Sequence, residues 1–449
     1  MDSERRNMSN YNPYPAYKDS GVEWIGEVPE HWEVKPIKII ASCNDDSLPE
    51  SFSPDTPIRY VDISSVSHDA GIAEPEFMLF GDAPSRARRK ARAGDVVVST
   101  VRTYLKAVAA VDDAHADCVY STGFAVLRPR KEHLTPEFLK WLALNELLIQ
   151  AVESHSEGLS YPAINASELI NLKTTLPSLS EQARIASILD RETARIDALI
   201  AKKTRFIELL KEKRQALITH AVTKGLDPNV KMKDSGVAWI GEVPEGWKVL
   251  ALKRMGTLKG GNGFPPSMQG REGNEFPFYK VGDLGKSIDG MSLGETRHSI
   301  SKEDAANLGA TIFKPGALAW AKIGAALSLN RRRVIRSACC LDNNMTGFTP
   351  DASVASTTYC FYLLSSIDFS LHAKPGAVPS FSEGDQGELM VTCPSLEEQC
   401  GIVNFLDRET ARIDALIAKT QHSIDLLKER RSAFITAAVT GQIDLREEA

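Results

Sequence analysis

The sequence has neither an excess of positive charge nor a long apolar run. Its 449 residues carry 53 Lys and Arg against 59 Asp and Glu, a formal net charge of −6. The chain as a whole therefore does not attract nucleic acid, and any such binding must use local basic patches. No run of 18 apolar residues occurs, and the N-terminal MDSERRNMSN lacks an apolar core. We thus predict no membrane span and no secretion, and expect a cytoplasmic protein.

Cysteine pairs, metal-ligand spacings and catalytic motifs are also missing. The cysteines show no C-x-x-C spacing, which predicts reduced thiols and no zinc site. The histidines lack H-E-x-x-H, and the Gly-Lys-Ser at 285–287 lacks the upstream glycine of a P-loop because Lys280 stands there. Neither Asn-Pro-Pro-aromatic nor Asp-Pro-Pro-Tyr, the motifs of amino-methyltransferases, occurs. We therefore predict a protein that binds rather than catalyses, with no catalytic residue, metal ligand or cofactor of its own.

Two segments predict long helices. Residues 181–224 contain neither glycine nor proline, and LDRETARIDALIAK at 189–202 recurs unchanged at 406–419. Each copy follows Pro-Ser-Leu-x-Glu-Gln, which has capping-box spacing, and each precedes a glycine, Gly225 or Gly441. The first helix would be about 65 Å long. Because so long a helix cannot bury its apolar stripe on one small domain, we expect the two copies to pack together.

The apolar residues of both segments follow heptad spacing. The predicted seam consists of Ile185, Leu189, Ile196, Leu199, Phe206, Leu210 and Leu217 in the first helix and Ile402, Leu406, Ile413, Leu416, Leu427 and Phe434 in the second. Charged residues inside a seam are costly unless they are paired. In an antiparallel pair, a register that brings Glu192 near Arg430 also brings Lys213 near Glu409, and we expect that register.

The repeat extends beyond the helices. KDSGVEWIGEVPEHWEV at 18–34 returns as KDSGVAWIGEVPEGWKV at 233–249, so the repeated unit is a half-chain. The copies carry Trp24 and Trp32, and Trp239 and Trp247. These tryptophans could form a platform on which nucleic-acid bases stack, or they could pack each half onto a shared scaffold. The near identity of the copies favours packing.

Short β-rich runs and turns lie between the repeated segments. IRYVDIS at 58–64 and GDVVVSTVR at 94–102 precede a helix at about 135–152, and the second half echoes this order. We predict an α+β fold with two pseudo-repeated globular heads joined by two long antiparallel coiled-coil helices. The predicted parts are a loose N-terminal tail at 1–16, a first head at 17–175, a central spacer helix at 176–231, a second head at 232–392 and a C-terminal spacer helix at 393–449.

The two heads differ most in their basic clusters. The candidate binding residues are Arg86, Arg88, Arg89, Lys90 and Arg92 before the GDVVVS run, Arg331, Arg332, Arg333 and Arg336 after the GALAWAK run, and Arg102, Lys106 and Lys322 at the ends of these runs. Such side chains suit contacts with DNA phosphates and base edges. Solvated surface charge is the alternative interpretation, and the sequence leaves both open. Because the frame is repeated while the heads diverge, we expect two related but different ligands.

The order of the motifs resembles one known family. KDSG-x-x-WIGE-x-PE-x-W, a variable head and a helix with LDRET-x-x-ID-x-LI, repeated over 17–445, is similar to the specificity (S) subunit of type I restriction-modification enzymes. The chain departs from its own repeat at Gly401, where the first copy has Arg184. The resemblance implies that each head is a target recognition domain for one half of an asymmetric bipartite site in double-stranded DNA.

The same resemblance implies partners. Two modification subunits would bind S-adenosylmethionine and methylate adenine, and restriction subunits would hydrolyse ATP with Mg²⁺, translocate DNA and cleave it. Two other classes of protein stay open from the residues themselves. A DNA-binding repressor or structural protein would need no methyltransferase partner, and co-purification separates that class. An enzyme with catalytic heads would need acid–base residues that this sequence does not place together.

Overall fold

The chain folds into two compact units. The structure, a computed structural model, describes residues 11–158, 160–374, 376 and 378–446. The first unit comprises residues 1–204 with 421–449, and the second comprises residues 205–420. The boundary falls inside both long helices, so each unit contains one head and a segment of each long helix.

Most strands of the first unit belong to its head. The strands are β1 (Tyr17–Asp19), β2 (Glu27–Pro29), β3 (Glu33–Pro36), β4 (Ala41–Cys43), β5 (Pro57–Val61), β6 (Val66–Ser67), β7 (Gly71–Ile72), β8 (Glu76–Leu79), β9 (Ala87–Lys90), β10 (Val96–Ser99), β11 (Val108–Ala110), β12 (Val119–Ser121), β13 (Phe124–Pro129) and β14 (Lys173–Leu176). The helices are α1 (Ile37–Ile40), α2 (Pro136–Ala143), α3 (Glu146–Ser154), α4 (Ala166–Leu169) and the first long helix, α5 (Leu179–Lys224).

Two four-stranded sheets form the body of the first head. Their strand orders are β11-β10-β13-β4 and β8-β5-β12-β9, and β5 with β12 is a parallel pair. The run of valines in β10 is apolar on both faces because both faces are covered. Val96 and Val98 pack in one core cluster with Phe138 of α2, and Val97 packs in another with Tyr120.

Two predictions for the first unit were wrong. The helix expected at 135–152 is two helices, because Asn145 ends α2 and caps α3 by accepting a hydrogen bond from the Leu147 amide at 3.1 Å. The tail that was expected to be loose packs against the first unit over its described part, residues 11–16. The Tyr11 ring lies 5.4 Å from that of Phe434, and Tyr14 is 3% exposed. Residues 1–10 lie outside the described part.

The second unit repeats this plan. Its strands are β15 (Met232–Asp234), β16 (Glu242–Pro244), β17 (Lys248–Ala251), β18 (Gly256–Gly260), β19 (Phe276–Tyr279), β20 (Ser299–Ile300), β21 (Leu318–Ala321), β22 (Arg332–Val334), β23 (Cys340–Leu341), β24 (Met345–Pro350) and β25 (Met390–Cys393). Its helices are α6 (Lys302–Asn307), α7 (Ala325–Ser328), α8 (Thr357–Ser365), α9 (Glu383–Gly387) and the second long helix, α10 (Leu396–Val439). Sheet β18-β24-β21-β22 forms its centre, and β19 pairs in parallel with β23, as β5 does with β12.

The long helices run antiparallel within each unit, as predicted, but in a different register. In the first unit Arg431 Nε lies 3.0 Å from Asp197 Oδ1. In the second unit Arg214 Nε donates to Asp414 Oδ1 at 3.0 Å. The two ion pairs are equivalent in the sequence repeat, because Asp197 corresponds to Asp414 and Arg214 corresponds to Arg431. The expected pairing of Glu192 with Arg430, and of Lys213 with Glu409, is wrong. The carboxylates instead lie beside arginines on their own helices: Glu192 beside Arg191 and Arg195, and Glu409 beside Arg408.

The predicted seam is one residue out of phase in its middle. Leu199, Phe206 and Leu416 are 42%, 46% and 40% exposed, whereas Ile207 is 7% exposed. The cause is that Thr193, only 3% exposed, takes an inward position. A threonine can do so because its hydroxyl is satisfied within the helix, here by the Leu189 carbonyl at 2.5 Å. The prediction counted only apolar residues and therefore passed over Thr193. Its spacing of three and four residues then selected Phe206, one residue before the buried Ile207.

Candidate nucleic-acid interface

The five basic residues around β9 do not form one patch. Strand β9 lies at the end of its sheet and spans only Ala87–Lys90, so Arg86 and Arg92 lie outside it, one before and one after. Side chains within the strand alternate between its two faces. The Arg88 guanidinium lies 4.7 Å from the centre of the Phe80 ring and is half-buried. Arg89 is also half-buried, and Lys90 is exposed. The sequence cluster is therefore a line of residues along an edge.

Acidic neighbours hold the two ends of this line. Arg86 Nη2 donates to Asp62 Oδ2 at 2.7 Å and Arg86 Nε to the Tyr60 hydroxyl at 3.2 Å. The hydrogen bonds to Tyr60 and Asp62 raise the pKa of Arg86. Arg92 Nη2 donates to Asp46 Oδ2 at 2.8 Å. The two arginine side chains remain 56% and 68% exposed, so both are positioned yet still reachable by a ligand.

Two loops beside Arg86 make an exposed surface, which we call the first tip (residues 100–106 and 157–164, of which 159 is not described). The Ile164 amide donates to the Thr100 carbonyl at 2.9 Å and joins the loops. The turn at Thr122 and Gly123 connects them to Arg86. The Thr122 amide donates to the Arg86 carbonyl at 2.7 Å, and the Thr100 amide donates to the Gly123 carbonyl at 2.8 Å.

The first tip presents aromatic, aliphatic and basic side chains to solvent. Tyr161, Tyr104 and Leu105 are 67%, 53% and 43% exposed, and the Arg102 guanidinium lies 5.2 Å from the Tyr161 ring centre. Arg102 and Lys106 have φ values of 51° and 49°, a costly conformation for such residues that clusters at functional sites. Lys106 donates to Glu146, which raises the pKa of that lysine. The tip therefore offers Arg102 and three apolar side chains as free contacts.

Sequence reasoning missed the apolar part of the first tip. It selected Arg102 and Lys106 by charge and passed over Tyr104, Leu105 and Tyr161. The available signal was position, because Tyr104 and Leu105 lie in the loop that follows the buried strand β10, and binding residues concentrate in such loops. Exposure itself depends on packing and cannot be read from residue type.

One predicted contact residue of the second head is a core residue. Arg332 is 2% exposed, and its guanidinium lies 3.6 Å from the centre of the Phe369 ring. Its Nη2 donates to Asn330 Oδ1 at 2.7 Å and to the Ile367 carbonyl at 3.2 Å. Burial lowers the pKa of this guanidinium. Arg332 thus joins β22 to the turn at Phe369, and its burial keeps it from contacting DNA.

The other arginines of this cluster are more accessible. Arg331 is exposed and Arg333 half-buried, and burial lowers the pKa of Arg333. Arg336 Nη2 donates to Asp289 Oδ2 at 2.7 Å, with the side chain 57% exposed. Arg336 also lines a cleft of ≈ 860 Å³ with Lys286 and Arg297. Sequence reasoning missed this cleft, whose basic residues come from separate segments.

The second head has a counterpart of the first tip, which we call the second tip (Lys322, Leu329, Leu371 and Val378). The Phe381 amide donates to the Lys322 carbonyl at 2.9 Å, which repeats the bond between Ile164 and Thr100. Lys322 Nζ donates to Glu383 Oε1 at 2.8 Å. Leu371, Leu329 and Val378 are 82%, 57% and 57% exposed. The two tips thus occupy equivalent places in the two heads but present different chemistry.

The tryptophans of the repeated motif pack rather than stack on bases. Trp32 is 0% and Trp247 is 3% exposed, and Trp24 and Trp239 lie partly buried against the same cores. The interpretation of these residues as a stacking platform is therefore wrong.

A comparison with protein families decides what these repeated heads are. The model described as Type I restriction modification DNA specificity domain matches residues 29–209 and again residues 244–426. These two matches cover most of the chain and coincide with its repeat. The chain belongs to this family. The predicted recognition as a type I specificity subunit is confirmed.

Individual specificity subunits are similar over long stretches. The chain is 22% identical over 440 residues to the type I restriction enzyme MjaIX specificity subunit of Methanocaldococcus jannaschii, covering 94% of this chain and 96% of that one. It is 24% identical over 307 residues to the MjaVIII specificity subunit of the same organism, covering 66% and 68%. A chain solved in a study of complex assembly and conformational transition of the type I R-M system shares its fold, with a TM-score of 0.74, 24% identity, and coverage of 93% and 99%.

A specificity subunit is the non-catalytic member of its complex, which carries the nuclease and methyltransferase activities. Within the described residues, no group of three or more His, Cys, Asp or Glu side chains is placed to hold a metal ion. The cysteines are unpaired thiols. No helix in the described part is long and apolar enough to cross a membrane.

Proposed function

We propose that the two heads of this specificity subunit read two different half-sequences of one asymmetric bipartite DNA site, each through its tip. One observation carries this proposal: equivalent loops in a repeated frame present Arg102, Tyr104 and Tyr161 in one head and Leu371 and Val378 in the other. Equivalent positions imply the same task, and different side chains imply different bases.

The exposed side chains divide into base and phosphate contacts. We assign Arg102 to a base edge, because arginine reads guanine bidentately and lies here beside exposed apolar side chains that are free to pack against bases. The exposed Leu371 and Val378 suit the methyl group of thymine. Five basic side chains at the surface, some of them bonded to a carboxylate, suit contacts with DNA phosphates: Arg86, Lys90, Arg92, Arg331 and Arg336. Lys106 and Lys322 hold their tips in place through Glu146 and Glu383.

We further propose the division of labour within the chain. Residues 17–175 and 232–392 act as target recognition domains, and residues 176–231 and 393–449 act as spacers. The chain works in the cytoplasm, where its DNA substrate is. It assembles with two modification subunits, which use S-adenosylmethionine to methylate adenine, and with restriction subunits, which use ATP and Mg²⁺. The family membership supports these partners.

Matched variants of the two tips test the proposal. Arg102→Ala with Tyr161→Ala should weaken binding through the first half-site by about 10- to 100-fold, because a good base contact is worth roughly 1–3 kcal/mol. Leu371→Ala with Val378→Ala should affect the second half-site alone. Binding of the chain with its modification subunits is measured on duplexes in which either half-site is scrambled. Equal effects on both half-sites, or none, would contradict the assignment.

A further inference from the structure

Two side chains contact a buried carboxylate in the first unit, and a third side chain lies on the same helix three residues away. The Tyr14 hydroxyl donates to Glu181 Oε1 at 2.7 Å, and His31 Nε2 lies 3.1 Å from Glu181 Oε2. Arg184, three residues further along α5, donates from Nε to the Leu445 carbonyl at 2.9 Å. Glu181 is 6% exposed. The Tyr14 ring packs edge-on against Trp32, with the ring centres 5.8 Å apart.

The second unit repeats the carboxylate and the tryptophan but loses all three of these side chains. Glu398 and Trp247 take the places of Glu181 and Trp32, and the Trp247 indole donates to Glu398 Oε1 at 2.9 Å. The residues that replace them are smaller, namely Asn229 for Tyr14, Gly246 for His31 and Gly401 for Arg184. Glu398 is exposed as a result.

These replacements leave a cavity. It measures ≈ 220 Å³ and is lined by Leu226, Trp247, Glu398 and Gly401 among others. A Cβ at Gly401 would meet no atom within 4 Å. Leu226 at the rim is 44% exposed, whereas its counterpart Ile443 in the first unit is 5% exposed. A cavity of about 150 Å³ already holds a benzene ring, so an aromatic side chain fits here.

We propose that this cavity, which we call the aromatic socket, receives a tyrosine side chain from a modification subunit. The inference rests on the proposed assembly with such subunits. The first unit shows the bound geometry within one chain: a tyrosine ring against the tryptophan and its hydroxyl on the carboxylate. A second copy of this chain is the weaker candidate, because its own Tyr14 is buried at 3% exposure.

The socket makes the two halves of the specificity subunit unequal. A modification subunit that docks on the first unit finds the equivalent place filled by Tyr14, whereas one that docks on the second unit gains the tyrosine contact. The two modification subunits therefore bind in two steps of different affinity. Because most of the frame is repeated, this difference comes from the socket.

Two variants that fill the socket test this proposal in the full-length chain. Gly401→Arg restores the side chain of the first unit, and Asn229→Tyr restores its tyrosine. Each should weaken the tighter binding step for the modification subunit at least tenfold, measured by interferometry, and make the two steps alike. Gly401→Ala is the matched control: it adds one methyl group in open space, so binding should not change. Circular dichroism and thermal unfolding verify that each variant is folded.

A crosslinker identifies the occupant. The photoreactive residue p-benzoylphenylalanine, placed at the exposed rim residue Leu226 so that the socket stays open, should crosslink to a tyrosine-containing segment of the modification subunit, and replacing that tyrosine with alanine should reproduce the Gly401→Arg effect. Unchanged affinity in both filled variants would overturn the socket, as would a crosslink to a second copy of this chain or to the restriction subunit. If the unaltered chain does not bind the modification subunit at all, the proposed assembly fails, and the socket with it.

Discussion

Arg331 and Arg332 are neighbours in sequence, yet the structure gives them opposite surroundings. The first is exposed, and the second is a 2%-exposed side chain stacked on Phe369. Arg331 lies just before β22, whereas Arg332 is the first residue of that strand and points into the core. Charge clustering in the sequence therefore marks a segment, and strand geometry decides which members reach a ligand.

Alanine substitutions at these two arginines should have different effects. Arg331→Ala should lower the salt dependence of DNA binding by roughly one unit of slope if it loses one phosphate contact, with stability unchanged. Arg332→Ala should lower the free energy of unfolding by about 3 kcal/mol, because it removes buried hydrogen bonds and a packed ring contact. Urea unfolding and binding titrations at several salt concentrations measure both. A reversed pattern would show that the burial argument is wrong.

The residues of the candidate interface show where sequence reasoning ends. It found Arg102 because a basic residue after a strand is visible in the chain. It could not find Tyr161, which reaches the same surface from a separate loop through the bond between the Ile164 amide and the Thr100 carbonyl. Long-range proximity of this kind depends on topology, and the sequence contains no local signal for it.

At the scale of elements, the long helices were predictable and their register was not. Absence of glycine and proline, capping motifs and heptad spacing are local properties, so α5 and α10 follow from the chain itself. Register depends on which side chains meet across the pair. Sequence reasoning selected Glu192 and Arg430, whereas the structure pairs Asp197 with Arg431. The two pairs differ by five positions on the first helix and by one on the second, so the antiparallel register lies six residues, or about 9 Å, from the expected one.

The two interhelical ion pairs should contribute little and additively. The Asp197 and Asp414 side chains are 51% and 52% exposed, and exposed pairs are worth about 0.2–1 kcal/mol. Asp197→Asn and Asp414→Asn should each lower the free energy of unfolding by less than about 1 kcal/mol. The double variant should show the sum, because the pairs share no partner. A loss above about 3 kcal/mol from either variant would mean that the pair behaves as a buried one.

At the scale of the whole molecule, we propose that the length of the long helices sets the gap between the two half-sites. Inserting one heptad into each helix, as second copies of residues 203–209 and 420–426, keeps the seam in phase. Each insertion adds about 10 Å of helix, equivalent to roughly 3 bp of DNA. The two half-sequences should stay the same and the unread gap should lengthen by about 3 bp. Methylated sites in a host that expresses the variant give the gap length.

The control for this experiment is a heptad in one helix alone, which puts the antiparallel seam out of register and should destabilise the chain. Loss of activity in the double insertion agrees with the account, because about 3 bp also turns the second half-site by roughly a quarter turn. An active complex with an unaltered gap would show that the helices do not set the spacing.

The central claim is that two diverged heads on one repeated frame read the two halves of a single DNA site. Methylome sequencing of a host that expresses this chain with its modification subunits tests it most directly. The account predicts methylated adenines in one asymmetric motif of two specified segments separated by an unread gap, present when this chain is expressed and absent without it. Methylation at a continuous motif, or at a motif that does not depend on this chain, would contradict it.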